Sequence, residues 1–241
     1  PYCFIENDRT IGIPSVPLPA EFFRNNLASQ PGPSLPDWKL EAILPALTER
    51  ACAFITEAAR QPEPFLLYLP LTTPHTPLAV NAEWKGKSGL NNAAADLIME
   101  TDAAVGKVLA ALEASGAAKD TLVVFTSDNG ATKDGSNLPF RGGKHSVNEG
   151  GTHLPAVVSW PKGGLAKRSW DGLCGALDLF PSLMAMAGLE MPTTRPLDGK
   201  NLWPALRDGA ASPVESYYWS WHDADTIRTA DWRLHRRFGR N

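Results

Sequence analysis

The sequence predicts an α/β fold, and three observations predict it. Two short apolar, β-branched runs, Phe65-Leu66-Leu67-Tyr68-Leu69 and Thr121-Leu122-Val123-Val124-Phe125-Thr126, have the length and composition of buried strands. Between them Leu97, Ile98, Thr101, Val105, Val108, Leu109 and Leu112 mark one face of a helix. Each run opens into a loop punctuated by Pro or Gly. Strand, helix, strand over roughly 60 residues reads as a βαβ unit with parallel strands and a right-handed crossover. Both strands then finish at one edge of the sheet, where open α/β folds place ligands.

The other elements follow in order. Residues 7–37 are rich in Pro, Asn, Ser and Gly and read as a long irregular segment. From residue 40, Leu40, Ile43, Leu44, Leu47, Ala51, Phe54, Ile55 and Ala58 keep helical spacing. Pro45 is placed in that helix's first turn, where its missing N–H costs nothing, and Pro62 and Pro64 stop it. Residues 156–160 predict a further strand, and 178–189 a short helix with Pro181 in its first turn. Residues 190–215 are Pro-rich and are expected to wrap the surface. Residues 217–221 and 226–234 predict two short strands that begin a small antiparallel subdomain. The expected division is an α/β domain over 1–210 and the start of that subdomain over 211–241.

Composition narrows the function. The chain has 241 residues, 43% of them hydrophobic and 20% charged, the balance of a globular core. Its formal charge of −3 lacks the basic excess of a duplex binder, so no nucleic-acid partner is expected. No apolar run approaches the ~18 residues of a membrane span. Cys3, Cys52 and Cys174 are odd in number and widely spaced, with neither a disulfide framework nor a zinc spacing. The start, Pro1-Tyr2-Cys3-Phe4, has neither Met nor a signal-peptide pattern, and the expectation is a piece of something longer.

Four segments could carry chemistry. In Ser127-Asp128-Asn129-Gly130 a carboxylate and an amide oxygen stand together at a strand end, which suits calcium or magnesium. Taken alone, the same four residues read rather as an Asx-type turn closing the strand, and two ligands are too few for calcium, so the others must come from elsewhere. In Arg141-Gly142-Gly143-Lys144 and Asn148-Glu149-Gly150-Gly151, paired glycines admit a ligand to the backbone and Lys144 supplies charge for an oxyanion. Taken alone this is also a surface loop with a solvated lysine. It is not a P-loop, since Leu138 and His145 break that pattern. His75, between Pro74 and Pro77, is a proton donor, an anion contact or a structural histidine. His145, Glu149 and His153 recur every fourth residue, but Gly150-Gly151 is expected to break any zinc-binding helix there. The cluster Arg233, His235, Arg236, Arg237 and Arg240 reads as a solvated face.

In this order the segments 65–77, 121–130, 140–151 and 155–161 resemble the sulfatase family of the alkaline-phosphatase superfamily, and arylsulfatases most. Leu197-Asp198-Gly199 and Ile227-Arg228-Thr229 are similar to that family's approach to its C-terminal subdomain. The resemblance implies an alkaline-phosphatase-like sandwich of helices around a mostly parallel sheet. It implies hydrolysis of aryl or carbohydrate sulfate esters, with Asp128 and Asn129 as calcium ligands and Lys144 and His75 on the sulfate. It also implies a formylglycine nucleophile made from Cys or Ser, and a periplasmic or secreted setting (lysosomal in animals). No Cys or Ser in this sequence opens the family's Cys/Ser-x-Pro/Ala-x-Arg motif. The family's paired aspartates are absent too, so both are expected upstream. His153 stands where the family usually has Arg. The alternatives are a phosphodiesterase or phosphonate hydrolase of the same superfamily, or a non-catalytic binder of sulfated glycans.

Overall fold

The computed structural model describes residues 1–22 and 29–238, in two units, Pro1–Ala118 and Lys119–Asn241. In the first, the stretch expected to be irregular contains two small antiparallel ladders. β1 (Phe4–Glu6) pairs with β2 (Arg9–Ile11), and β3 (Val16–Pro17) with β4 (Pro33–Ser34). All three residues of β2 are exposed, so no alternation of apolar side chains marks it. Residues 23–28 of that stretch lie outside the described residues.

The core of this unit is a helix pair. A 3-10 turn at Leu40–Ala42 leads into α1 (Ile43–Ala58), with Pro45 in its first turn as expected. Leu44, Ala51 and Ile55 are buried on α1, which packs on α2 (Ala93–Ala114) through buried Leu97, Ala104 and Leu112. Ile55 and Leu97 are each 1% exposed, and each such side chain stabilises by roughly 1.5–3 kcal/mol. Asn92 caps α2, its Oδ1 accepting from the Ala94 N–H at 2.8 Å. Two buried carboxylates on α2 bind the preceding loop. Asp96 accepts from the Gly86 and Ser88 N–H groups at 2.7 and 2.9 Å, and Glu100 from the Asn81 N–H at 3.0 Å.

The expected strand at 65–69 is not formed. The segment alternates half-buried and exposed side chains, as extended chain does, but Leu66 and Tyr68 are each 83% exposed. Among the described residues it belongs to no ladder. An apolar run sets the extended conformation; a strand also needs a neighbouring edge to satisfy its N–H and C=O groups.

In the second unit β5 (Val123–Thr126) forms where expected. Its partner, past the single turn of α3 (Glu149–Thr152), is β6 (Ala156–Ser159), antiparallel, with Val123 opposite Ser159. The parallel βαβ pairing is therefore replaced by an antiparallel pair. A 3-10 turn (Ala176–Asp178) precedes α4 (Leu179–Met186), with Pro181 in the first turn. α5 (Trp203–Asp208) lies in the stretch expected to be surface wrapping; Pro204 near its start and Gly209 at φ 71° after its end are its boundary signals. The end of the chain is a three-stranded meander rather than two strands: β7 (Tyr217–Trp221), β8 (Ala224–Arg228) and β9 (Arg233–Arg237).

Asp178, 1% exposed, ties these parts together. It accepts from the N–H groups of Gly175 at 2.9 Å and Lys200 at 2.7 Å, and from the Tyr217 hydroxyl on β7. Burial, then the carboxylate beside it, pushes the Tyr217 phenol far above its ordinary range, so it remains a donor.

Candidate functional site

Asp128 and Asn129 follow β5 directly, and their side-chain ends meet, the Asn129 Nδ2 donating to Asp128 Oδ2. From there the chain turns back on itself. Asn137 grips the turn from both sides, accepting from the Ala131 N–H at 2.8 Å and donating to the Ala131 carbonyl at 2.9 Å. That carbonyl also accepts from the Lys144 N–H at 3.1 Å. Lys144 is thereby fixed two residues from the Asp128-Asn129 strand end, although sixteen positions separate Asp128 from Lys144 in sequence.

Two backbone strips lie in contact along this loop. The Gly130 N–H donates to the Gly151 carbonyl at 3.1 Å, and the Gly150 N–H to the Arg141 carbonyl at 2.8 Å. A Cβ on Gly130 would stand 1.7 Å from the Gly150 oxygen, and one on Gly150 would stand 2.3 Å from the Gly142 oxygen. These glycines serve close approach rather than flexibility. As expected, no helix face carries His145, Glu149 and His153 together: α3 is a single turn, His145 lies before it at φ 69° and His153 is extended, while backbone carbonyls face Gly150 and Gly151 within the turn.

Glu149 at the start of α3 anchors the loop. Its Oε1 accepts from Arg228 Nε at 3.0 Å and pairs with the Arg233 guanidinium at 2.7 Å, while Oε2 meets His153 Nδ1 at 3.0 Å. Burial alone would raise its pKa; Arg233, His153 and Arg228 outweigh that and hold the carboxyl below its ordinary range. Arg233 is not on a solvated face, in correction of the sequence reading. Its side chain is 10% exposed, donates to Thr152 Oγ1 at 2.7 Å and lies over the Trp219 ring at 5.1 Å. The rest of that cluster is exposed, and Arg240 lies outside the described residues. Sequence reasoning missed Glu149, Arg228 and Asn137 as anchors. Pairs 79 residues apart leave no local pattern, and Asn137 resembles any loop asparagine.

The donor chemistry at 128–129 fits a hard cation, since carboxylate and amide oxygens are its ligands. Two donors make one side of a shell of six to eight. Among the described residues no group of three or more His, Cys, Asp and Glu side chains converges. Also among them, no carboxylate pairs with the Lys144 ammonium. Cys174 is exposed, and desolvation, then the Asp178 carboxylate, pushes its thiol above the ordinary range.

The structure gathers Asp128, Asn129 and Lys144 in one loop cluster of the C-terminal unit, and His75 belongs to the N-terminal unit. His75 is exposed. Its N–H donates to the Thr72 carbonyl at 3.2 Å, and Nδ1 lies 2.7 Å from the Thr76 carbonyl. A carbonyl only accepts, so Nδ1 carries the proton and Nε2 is the outward atom for proton transfer or anion contact. Thr73 ties the loop to α2, accepting from the Thr101 hydroxyl at 2.8 Å.

Comparisons with known proteins agree on one family. The family model described as Sulfatase matches residues 21–189. N-acetylgalactosamine-6-sulfatase of Mus musculus is 34% identical over 195 residues, covering 78% of this chain and 37% of that protein. Arylsulfatase A of Homo sapiens is 35% identical over 223 residues, covering 85% of this chain and 43% of that protein. A crystal structure of Ps i-CgsB in complex with k-i-k-neocarrahexaose superposes with a TM-score of 0.75 at 33% identity, covering 79% of this chain and 45% of that one. The chain thus spans less than half the length of these relatives. The α/β class and the small antiparallel C-terminal sheet expected from the sequence agree with these structures. No helix among the described residues is long and apolar enough to cross a membrane.

Proposed function

The chain belongs to the sulfatase family, and on that premise we propose that the protein hydrolyses sulfate esters of aryl or carbohydrate alcohols. In this reading Asp128 and Asn129 hold one side of a calcium ion, Lys144 binds a sulfate oxygen, and His75 contacts the sulfate and moves the proton of the leaving alcohol. The observation that supports the reading is the hydrogen bond from the Lys144 N–H to the Ala131 carbonyl, which holds the Lys144 backbone two residues beyond the Asp128-Asn129 doublet.

Bound calcium would supply positive charge against the sulfate oxygens. The chain's own residues supply the rest. Lys144 places a compact charge where negative charge gathers as the S–O bond lengthens. Because its backbone is already fixed, little reorganisation is needed when that charge develops. His75, with Nδ1 held by Thr76, presents Nε2 in one orientation, so a proton there can pass to the departing oxygen. Attack on sulfur falls to a formylglycine, for which none of the cysteines or serines of this sequence has the matching motif. The setting proposed is periplasmic, secreted or lysosomal.

In the full-length protein, Lys144→Ala and His75→Ala are each expected to lower kcat for an aryl sulfate by about 10²-fold, the usual cost of one oxyanion contact. Steady-state assays check this, and unchanged turnover in both variants would refute the assignment.

A further inference from the structure

Beside the Lys144 loop, wholly within the C-terminal unit, lies a cavity of about 420 Å3. Arg141 and His145 line it from the loop, Trp221 and His222 from the end of β7, and His235 and Arg237 from β9. Two guanidiniums and three imidazoles therefore share it with one carboxylate, that of Asp223. The reaction assigned to Lys144 and His75 uses none of them.

The walls are aromatic as well as cationic. His145 stacks on Trp221 with ring centroids 5.6 Å apart, and His222 meets Trp221 edge-on at 4.8 Å. His145 and His222 both hold positive φ, at 69° and 53°, a left-handed backbone region that non-glycine residues enter uncommonly. The rings thus stand in a conformation the local sequence would not choose alone. Flat aromatic faces suit the C–H face of a sugar ring, and guanidinium and imidazole N–H groups suit an anionic substituent on it. Position links this cavity to the reaction, because His145 directly follows Lys144.

We propose that the cavity is a subsite for a second anionic group, a sulfate or a uronic carboxylate, on the glycan whose sulfate ester is cleaved. This rests on the sulfate-ester reading above and names its substrate class: polyanionic glycans rather than singly charged aryl sulfates. The field supports it. Burial, then Arg233, Arg141 and Arg237, with Glu149 opposing, hold the His235 imidazole below its ordinary range. An anion in the cavity offsets that cationic field and draws a proton onto His235. His145, His222 and Asp223 face the same space.

The test uses the full-length enzyme and three substrates: an aryl monosulfate with no other charge, a disulfated disaccharide, and a monosulfated disaccharide bearing a uronic acid. In Arg237→Gln and His235→Asn, the ratio of kcat/KM for either disaccharide over the aryl ester is expected to fall about tenfold or more, through KM, as on losing a charged hydrogen bond. A fall confined to one disaccharide identifies sulfate or carboxylate as the group bound. An unchanged ratio for both overturns the subsite while leaving the sulfatase reading intact. A wild-type enzyme that cleaves none of the three overturns both. If the variants yield no folded protein, the wild-type pH profile decides: KM for a disaccharide should rise relative to the aryl ester as pH passes from 5 to 7.5, and a flat ratio overturns the subsite.

Discussion

The loop that carries Lys144 and the loop that carries His75 are held by different means. The first is fixed by backbone. Ala131 is gripped by Asn137 and bonded to the Lys144 N–H, Gly130 lies against the Gly150 carbonyl, and Glu149 gathers two arginines and a histidine. The second is fixed by short-range bonds, Thr72 to His75 and His75 to Thr76, with one hydroxyl pair tying it to α2. The difference teaches that a charge proposed to meet an anion can be set by main chain that admits no Cβ. A ring proposed to move a proton needs its tautomer fixed, and one neighbouring carbonyl does that.

Three substitutions probe this contrast, in order of effect. Gly130→Ala places a methyl group 1.7 Å from a backbone oxygen, and backbone cannot rotate away as a side chain does. It is expected to cost more than about 3 kcal/mol, seen as lost folded yield and a lower Tm. A near-normal Tm would show that the two strips are not packed as described. Glu149→Gln keeps the shape and removes the charge facing Arg233 and Arg228. The expected cost is about 2 kcal/mol by chemical denaturation.

The sign of its pH dependence follows from the lowered carboxyl. The Glu149 contribution is full above the ordinary glutamate pKa of about 4.3 and is lost as pH falls through the lower, folded value. Wild type should therefore lose stability on acidification below about pH 4, with a shallower slope in Glu149→Gln. Equal slopes would remove Glu149 from the account. Thr73→Val takes away one partner of the Thr101 hydroxyl, which keeps the Leu97 carbonyl, and about 0.5–1 kcal/mol is expected. A loss as large as that from Gly130→Ala would abolish the contrast.

What the sequence disclosed follows the range of the interaction. α1 and α2 were legible because their apolar spacing is local, and α4 because Pro181 marks its first turn. β5 and β6 were legible as strands but not as partners, since pairing depends on where two edges meet. The run at 65–69 misled for the same reason. Lys144, Asp128 and Asn129 could be named from residue type and order, yet nothing in the sequence showed that Ala131 and Asn137 join them. Gly150-Gly151 was read by propensity as limiting the helix, and α3 is one turn long, but the carbonyls that face both glycines left no signal in the sequence. Arg233 looked solvated because its partner Glu149 lies far upstream.

The ion pair from Glu149 to Arg228 spans 79 residues, and the one to Arg233 reaches further still. During synthesis on the ribosome the lysine loop emerges long before the residues that anchor it. Until β9 clears the exit tunnel, Glu149 lacks its arginines, and the loop has only its glycine contacts and Asn137. The nascent chain therefore completes this anchorage only once Arg233 has been made, and a chain stalled before that residue would carry the lysine without its support.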